Sequence, residues 1–203
     1  MPRFSDSVFI NCPFDKQYWP IFEGIVFCII RCGLVPRCSL EEADSGQVRL
    51  DTIQRIIRDS QYTIHDLSRI EVSVESALPR FNMPFELGLD LGCRLYGTGK
   101  LRRKKCLILD AESHRYQAFL SDIAGQDIQS HHNSPDRAIT VVRNWLRTAG
   151  RANLPGPTLI KRQFLEFSAR LAENCDRNAL DRHDLQFVEY VALAEEWLKA
   201  DNT

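Results

Sequence analysis

Apolar residues along this chain keep two rhythms, short unbroken runs and longer stretches with helical spacing. Residues 7–11, SVFIN, form a short β-branched run with the character of a strand buried on both faces. Residues 17–33, QYWPIFEGIVFCIIRCG, predict a largely buried helix that closes at Gly33, a natural residue for a left-handed cap. LVPRC predicts a second strand, and Pro36 places it at a sheet edge. In QVRLDTIQRIIRDS, Val48, Ile53, Ile56 and Ile57 fall near helical spacing with charges opposite. QYTIHDLS predicts a third strand ending at Asp66, and KKCLILD a fourth ending at Asp110. Between them lie a polar stretch of about fifteen residues, long enough to suggest function, and RFNMPFELGLDLG, which reads as a helix. HRYQAFLSDI predicts a further helix, QDIQSH a short last strand, and SPDRAITVVRNWLRTA a helix with Ser134 as N-cap and Pro135 as first helical residue. The strands are expected to begin near Val8, Val35, Thr63, Cys106 and Asp127.

Strands alternating with helices predict a five-stranded, mainly parallel α/β sheet covered on both faces. NLPGPT, residues 153–158, breaks the pattern and reads as a linker. Residues 1–152 are therefore expected to form the α/β domain and residues 153–203 a C-terminal helical appendage. There Phe187, Tyr190, Val191, Ala194, Trp197 and Leu198 make one apolar stripe. The stripe either caps the domain or pairs with a partner or a second copy.

Composition narrows the class. With 44% hydrophobic and 26% charged residues the chain is an ordinary globular protein. A net charge of −1 gives no electrostatic reason to expect nucleic acid or an anionic membrane as partner. The start lacks a basic region followed by an apolar run, and Ile21–Ile30, interrupted by Glu23, is too short to span a bilayer. The expected location is cytoplasmic. Seven cysteines, mostly inside apolar runs, read as reduced core thiols. No CxxC pair exists and His131 and His132 lack a third ligand, so no metal is expected.

In parallel α/β sheets, ligands bind beyond the carboxyl ends of the strands. That rule selects Asn11–Asp15, Arg37–Asp44, Asp66–Ser68, Asp110, His131 and the start of the helix holding Glu86. Pro84 is expected as first helical residue, which puts Glu86 in the first turn. Phe85, Gly88 and Gly92 then share a face, letting the backbone approach a strand or a flat ligand. Glu86 there can be a helix-start acid that favours the dipole. It can also face Asp66 across one crevice, with Asn82 beside it. Clustered carboxylates suit ribose hydroxyls and the oxocarbenium-like state of N-glycosidic cleavage.

The succession strand, DLS, loop, NMPFELG resembles the TIR-like and nucleoside 2-deoxyribosyltransferase-like superfamily, as does NCPFD after the first strand. The resemblance covers roughly residues 7–150. It implies a flavodoxin-like fold and one glutamate, Glu86 by motif position, that splits N-glycosidic bonds. NAD is the implied substrate, cleaved to nicotinamide and ADP-ribose or its cyclised forms, with no further cofactor and in a setting of anti-phage defence. Deoxyribosyl transfer to or from nucleosides, and a non-catalytic nucleotide-sensing or assembly module, remain alternatives. The same resemblance implies self-association, to which the EEADSG loop contributes.

Each remaining candidate has a plainer reading. Phe14 can wall the base, and Asp15 can contact it or cap a helix; Asn11, at the strand end, and Pro13, which the resemblance places with Phe14 beside the nucleoside, are further substrate-binding candidates. Arg37 can meet a pyrophosphate or lie at the surface. Asp66 can form a turn or bind ribose, and Ser68 can cap that turn or bind a phosphate. His65 alternates away from Asp66 and reads as a core histidine. LRRKK, residues 101–105, reads as a solvated turn.

Overall fold

The computed structural model describes residues 2–42, 46–69 and 81–201. Five strands, β1 Ser7–Asn11, β2 Val35–Arg37, β3 Tyr62–Asp66, β4 Lys105–Asp110 and β5 Gln129–Ser130, form one sheet in the order β2-β1-β3-β4-β5. Every neighbouring pair is parallel. The helices are α1 Trp19–Arg31, α2 Arg49–Asp59, α3 Asn82–Tyr96, α4 Pro135–Thr148, α5 Pro157–Arg177 and α6 Phe187–Asp201. This is the expected flavodoxin-like α/β arrangement with added C-terminal helices.

Strand alternation sorts the core. Val8, Ile10, Tyr62, Ile64, Leu107 and Leu109 point to the α1 and α4 side. Phe9 points oppositely, onto Ile53, Ile56 and Ile57 of α2, and Ile108 onto Met83 and Leu87 of α3. All five residues of β1 are buried, the polar Ser7 and Asn11 at its ends included, as a strand covered on both faces requires. Helix α1 stops as its sequence predicts. Gly33 takes φ +72°, its N–H bonds Ile30 O at 2.8 Å, and Leu34 N–H bonds Ile29 O at 3.1 Å. Pro36 lies in an edge strand, and Ser134 Oγ accepts the Arg137 N–H at 3.3 Å with Pro135 following it.

The C-terminal helices do not stand apart. Phe164, Phe167, Phe187, Tyr190, Ala194 and Leu198 belong to the same buried cluster as α1. Phe27 stacks on Phe167 at 5.4 Å, Phe22 meets Phe187 at 5.9 Å, and Tyr190 Oη donates to Glu23 O at 3.0 Å. Arg182 reaches the buried Glu23 carboxylate at 2.7 Å. The apolar stripe of α6 is therefore largely spent on capping α1.

Three local expectations are corrected. Residues 114–123 form two 3-10 turns, Arg115–Ala118 and Ser121–Ile123, in place of a helix. His114 enters at φ +64°, and Tyr116 and Ile123 anchor the turns in the core. β5 begins at Gln129 and pairs with β4 over two positions only. Lys104 is not part of a solvated turn. Its stem is buried and its ammonium donates to Ile57 O and Ser60 O, each at 2.6 Å, where α2 ends. Carbonyls at a helix C-terminus attract a cation, and Asp90 Oδ1 completes the shell at 3.0 Å.

Among the described residues no helix is long and apolar enough to cross a membrane. All seven cysteines are free thiols.

Candidate functional site

β1 lies between β2 and β3, so the chain's crossovers diverge at its carboxyl end, the place where such sheets form their ligand-binding crevice. Asn11 and the residues after it come from β1, Asp66–Ser68 from β3, His131 follows β5, and the first turns of α3 close the side.

Helix α3 starts two residues earlier than its proline suggests. Asn82 is its first residue, and Pro84 sits inside the first turn, where its missing N–H leaves no bond unmade. Glu86 consequently lies one turn in, and the first turn holds no acid. A helix-start role for Glu86 loses its basis. The glycines also depart from expectation: Gly88 has nothing within 4 Å of a notional Cβ and Gly92 only Tyr96 at 3.9 Å. The face they share looks away from the sheet, so close approach to a strand does not explain them.

Glu86 is half-buried and makes no hydrogen bond or ion pair among the described residues. Burial pushes its carboxyl up to about 7, with the Arg49 charge drawing it partly back. Its charge also reaches Cys12 at the end of β1. Burial first, then Asp66, Cys38, Glu86 and Asp15, push that thiol well above its ordinary value. Cys12 is thus no nucleophile at neutral pH.

Beneath the crevice a buried relay fixes α3. Asn11 Nδ2 donates to Met83 O at 3.1 Å and to His65 Nδ1 at 3.0 Å. Because Nδ1 accepts, His65 Nε2–H faces Asp90 Oδ2, at 3.2 Å. Thr63 Oγ1 donates to the same oxygen at 2.6 Å, and Lys104 holds the other. Burial raises the Asp90 carboxyl, but His65, Lys104 and Thr63 outweigh it and hold it down to about 2. His65 is the core histidine its alternation predicts. With Cys106, His65 and Asp90 bring three donor atoms within 4.8 Å of one another. The Cys106 thiol is pushed up to about 12 by burial, and the Lys104 ammonium already supplies positive charge there. That donor set fits a structural ion pair better than a metal, which needs a thiolate.

A second cluster encloses Asp66. Tyr18 Oη donates to Oδ2 at 2.7 Å, Ser68 N–H to Oδ1 at 2.8 Å, and the Ser68 hydroxyl to Oδ1 as well. His131 Nδ1 accepts Asn133 N–H at 3.1 Å, so its Nε2–H serves Asp66 Oδ2 at 3.0 Å and Ser68 Oγ at 2.8 Å. Burial raises the Asp66 carboxyl, but these partners pull it back below the usual range. Serine, histidine and aspartate meet here without forming a nucleophilic triad. Ser68 gives its proton to the aspartate, and both contact one histidine nitrogen. Asp66, Ser68 and His131 are all buried, so they brace the crevice wall and leave little for a ribose to touch.

The other candidates divide. Asn11 and Pro13 are buried, the former inside the relay. Asp15 Oδ1 accepts Gln17 N–H and Tyr18 N–H, each at 3.0 Å, the plainer of its two readings. Phe14 stays half-exposed, standing edge-on to Phe22 at 5.3 Å. Arg37 is buried and grips both Glu41 carboxylate oxygens through Nε and Nη2 of its guanidinium. Asn82 is exposed beside Glu86. Residues 43–45 and 70–80, which include part of the EEADSG loop and most of the polar stretch before α3, lie outside the described residues. Sequence reasoning missed Tyr18, Arg49, Asp90 and Lys104. Only Asp90 carried a signal, being four residues after Glu86 on the same helix.

Compared with known protein families, curated proteins and solved structures, the chain matches none.

Proposed function

We propose that the crevice splits an N-glycosidic bond and that Glu86 carries the chemistry, with NAD as substrate. The observation that carries this reading is the Glu86 carboxyl itself, half-buried, without a hydrogen-bond or ion-pair partner among the described residues, and pushed up to about 7 at the carboxyl edge of a parallel sheet. Folding gains nothing from such a group, so its presence calls for a use. In NAD the leaving nicotinamide is already cationic and departs without being protonated. Catalysis then needs only a negative charge beside C1′ as the ribose becomes oxocarbenium-like. The C1′–N bond breaks, its electron pair leaves with neutral nicotinamide, and water adds to C1′ and releases a proton. In cyclisation the substrate's own adenine takes the place of water. Phe14 supplies an apolar wall, Asn82 a polar contact, and Arg49, exposed and electrostatically linked to Glu86, suits the pyrophosphate better than Arg37, which Glu41 occupies. The DLS and NMPFELG motifs support the same reading.

The test is incubation with NAD, with deoxynucleosides and with nucleotides, following released base by chromatography. Nicotinamide should appear from NAD and be absent from a heat-denatured control. Release from deoxynucleosides alone would favour the transferase chemistry, in which a protonated Glu86 helps the base depart. Silence with all three and tight nucleotide binding would mark a sensing module.

A further inference from the structure

Helix α3 presents an apolar face to solvent. Phe81, just before it, and Phe85, Leu95 and Tyr96 within it are 65, 54, 68 and 82% exposed. At 3.6 residues per turn these four, with Gly88 and Gly92 between them, fall within an arc of about 100°. The charged residues of the helix, Glu86, Asp90 and Arg94, recur every fourth position along the other side. A surface helix ordinarily turns its polar side outward; this one exposes Asn82 and Arg94 outside that arc, but within it only aromatic rings, a leucine and two glycines.

We propose that this face joins two copies of the chain, α3 against α3, antiparallel about a twofold axis between Gly88 and Gly92. The order of sizes along the face is symmetric: two bulky residues, two glycines, two bulky residues. A twofold contact must be self-complementary, since each copy offers the same patch. With the axis so placed, Gly88 of one copy lies opposite Gly92 of the other, and Phe85 opposite Leu95. The glycines let the backbones approach, and their open surroundings give a partner room: no atom lies within 4 Å of a Cβ at Gly88. The four exposed side chains offer roughly 500 Å² per copy, and two copies together about 1,000 Å², the lower bound for a specific interface and as large as a monomer's largest patch usually is. No charge interrupts the face, which disfavours nucleic acid or a charged peptide as occupant. The α6 stripe, which the sequence also offered to a partner, is largely buried against α1. Glu86 lies on the flank of the interface, so the contact stands independently of the proposed chemistry.

Light scattering on the full chain across a wide concentration range tests this. Wild type should show a mass near twice 23.4 kDa. Gly88→Leu should be monomeric at concentrations where wild type is dimeric, because the monomer has space for the side chain and the crossing helices do not. Leu95→Lys should do the same, and both variants should keep the wild-type far-ultraviolet circular dichroism. A wild type that is monomeric throughout overturns the proposal. So does a dimer that both substitutions leave intact, which would use another face. A monomer that binds neutral phospholipid vesicles through Phe81 and Phe85 would assign the face to lipid and overturn it equally.

Discussion

Lys104→Ala should lower the unfolding free energy by about 3–5 kcal/mol, the range for breaking a buried ion pair from one side. The ammonium is enclosed and serves three oxygens, those of Ile57, Ser60 and Asp90. Truncation leaves the two carbonyls at the end of α2 without that donor and the Asp90 carboxylate with half its compensation, in a site water reaches poorly. The loss should fall chiefly on stability, because Lys104 lies at the amino end of the sheet and bears on the crevice only through its hold on Asp90 of α3. Removing the charge of both partners, as in Asp90→Asn with Lys104→Met, should recover part of the deficit, since neither variant strands a buried ion. The wild type carries the same network into its acid behaviour. Asp90 has its folded carboxyl near 2 against 3.8 in its ordinary state, so its contribution is complete above about 3.8 and disappears as pH falls towards 2. Denaturant titration at neutral pH measures the first effect, and a Lys104→Ala protein within about 1 kcal/mol of wild type would dismiss the relay as a brace.

Glu86→Gln should lose on the order of 100-fold or more in the rate of base release while binding nucleotide nearly as well. The amide keeps the shape and part of the hydrogen-bonding capacity, and removes the charge where the sugar turns cationic. The same variant should be more stable than wild type at neutral pH. A carboxyl raised from 4.5 to about 7 resists ionisation in the folded state, so the wild type is penalised wherever the group must be charged. That penalty is absent below about 4.5, grows through the interval to about 7 and is complete above it. Discounted for the solvent that reaches a half-buried group, it amounts to about 1–2 kcal/mol. A variant that is inactive because it is damaged would melt lower. One that is inactive and melts higher separates catalysis from folding. Thermal melts of both proteins at acidic and at neutral pH supply the comparison, and equal melting at every pH would remove the evidence for a strained carboxyl.

The sheet was legible because its strands announce themselves. The apolar runs VFI and CLIL, at the centres of SVFIN and KKCLILD, mark buried strands, and Gly33, Pro36 and the Ser134–Pro135 pair mark boundaries by their own backbone chemistry. The α6 stripe showed equally strong periodicity, yet a period says only that a face is buried and not against what. Its partner, α1, lies more than a hundred residues away. Distance along the chain hid the fate of Asp66 for the same reason: Tyr18 and His131, which enclose it, are 48 and 65 residues removed. Lys104 was lost within a basic run because nothing local distinguishes the one lysine that folds inward. Glu86 was singled out from its motif, but its place in the helix was misjudged. Pro84 is tolerated anywhere in a first turn, so it dated the helix start two residues late.

The central claim, that an ionised Glu86 performs the chemistry, is tested most directly by the pH dependence of nicotinamide release from NAD. At subsaturating substrate, wild-type release should climb as pH rises through about 7 and level off above it, following the fraction of Glu86 that carries charge. A rate that stays flat across that interval, or falls as the carboxyl ionises, would contradict the account.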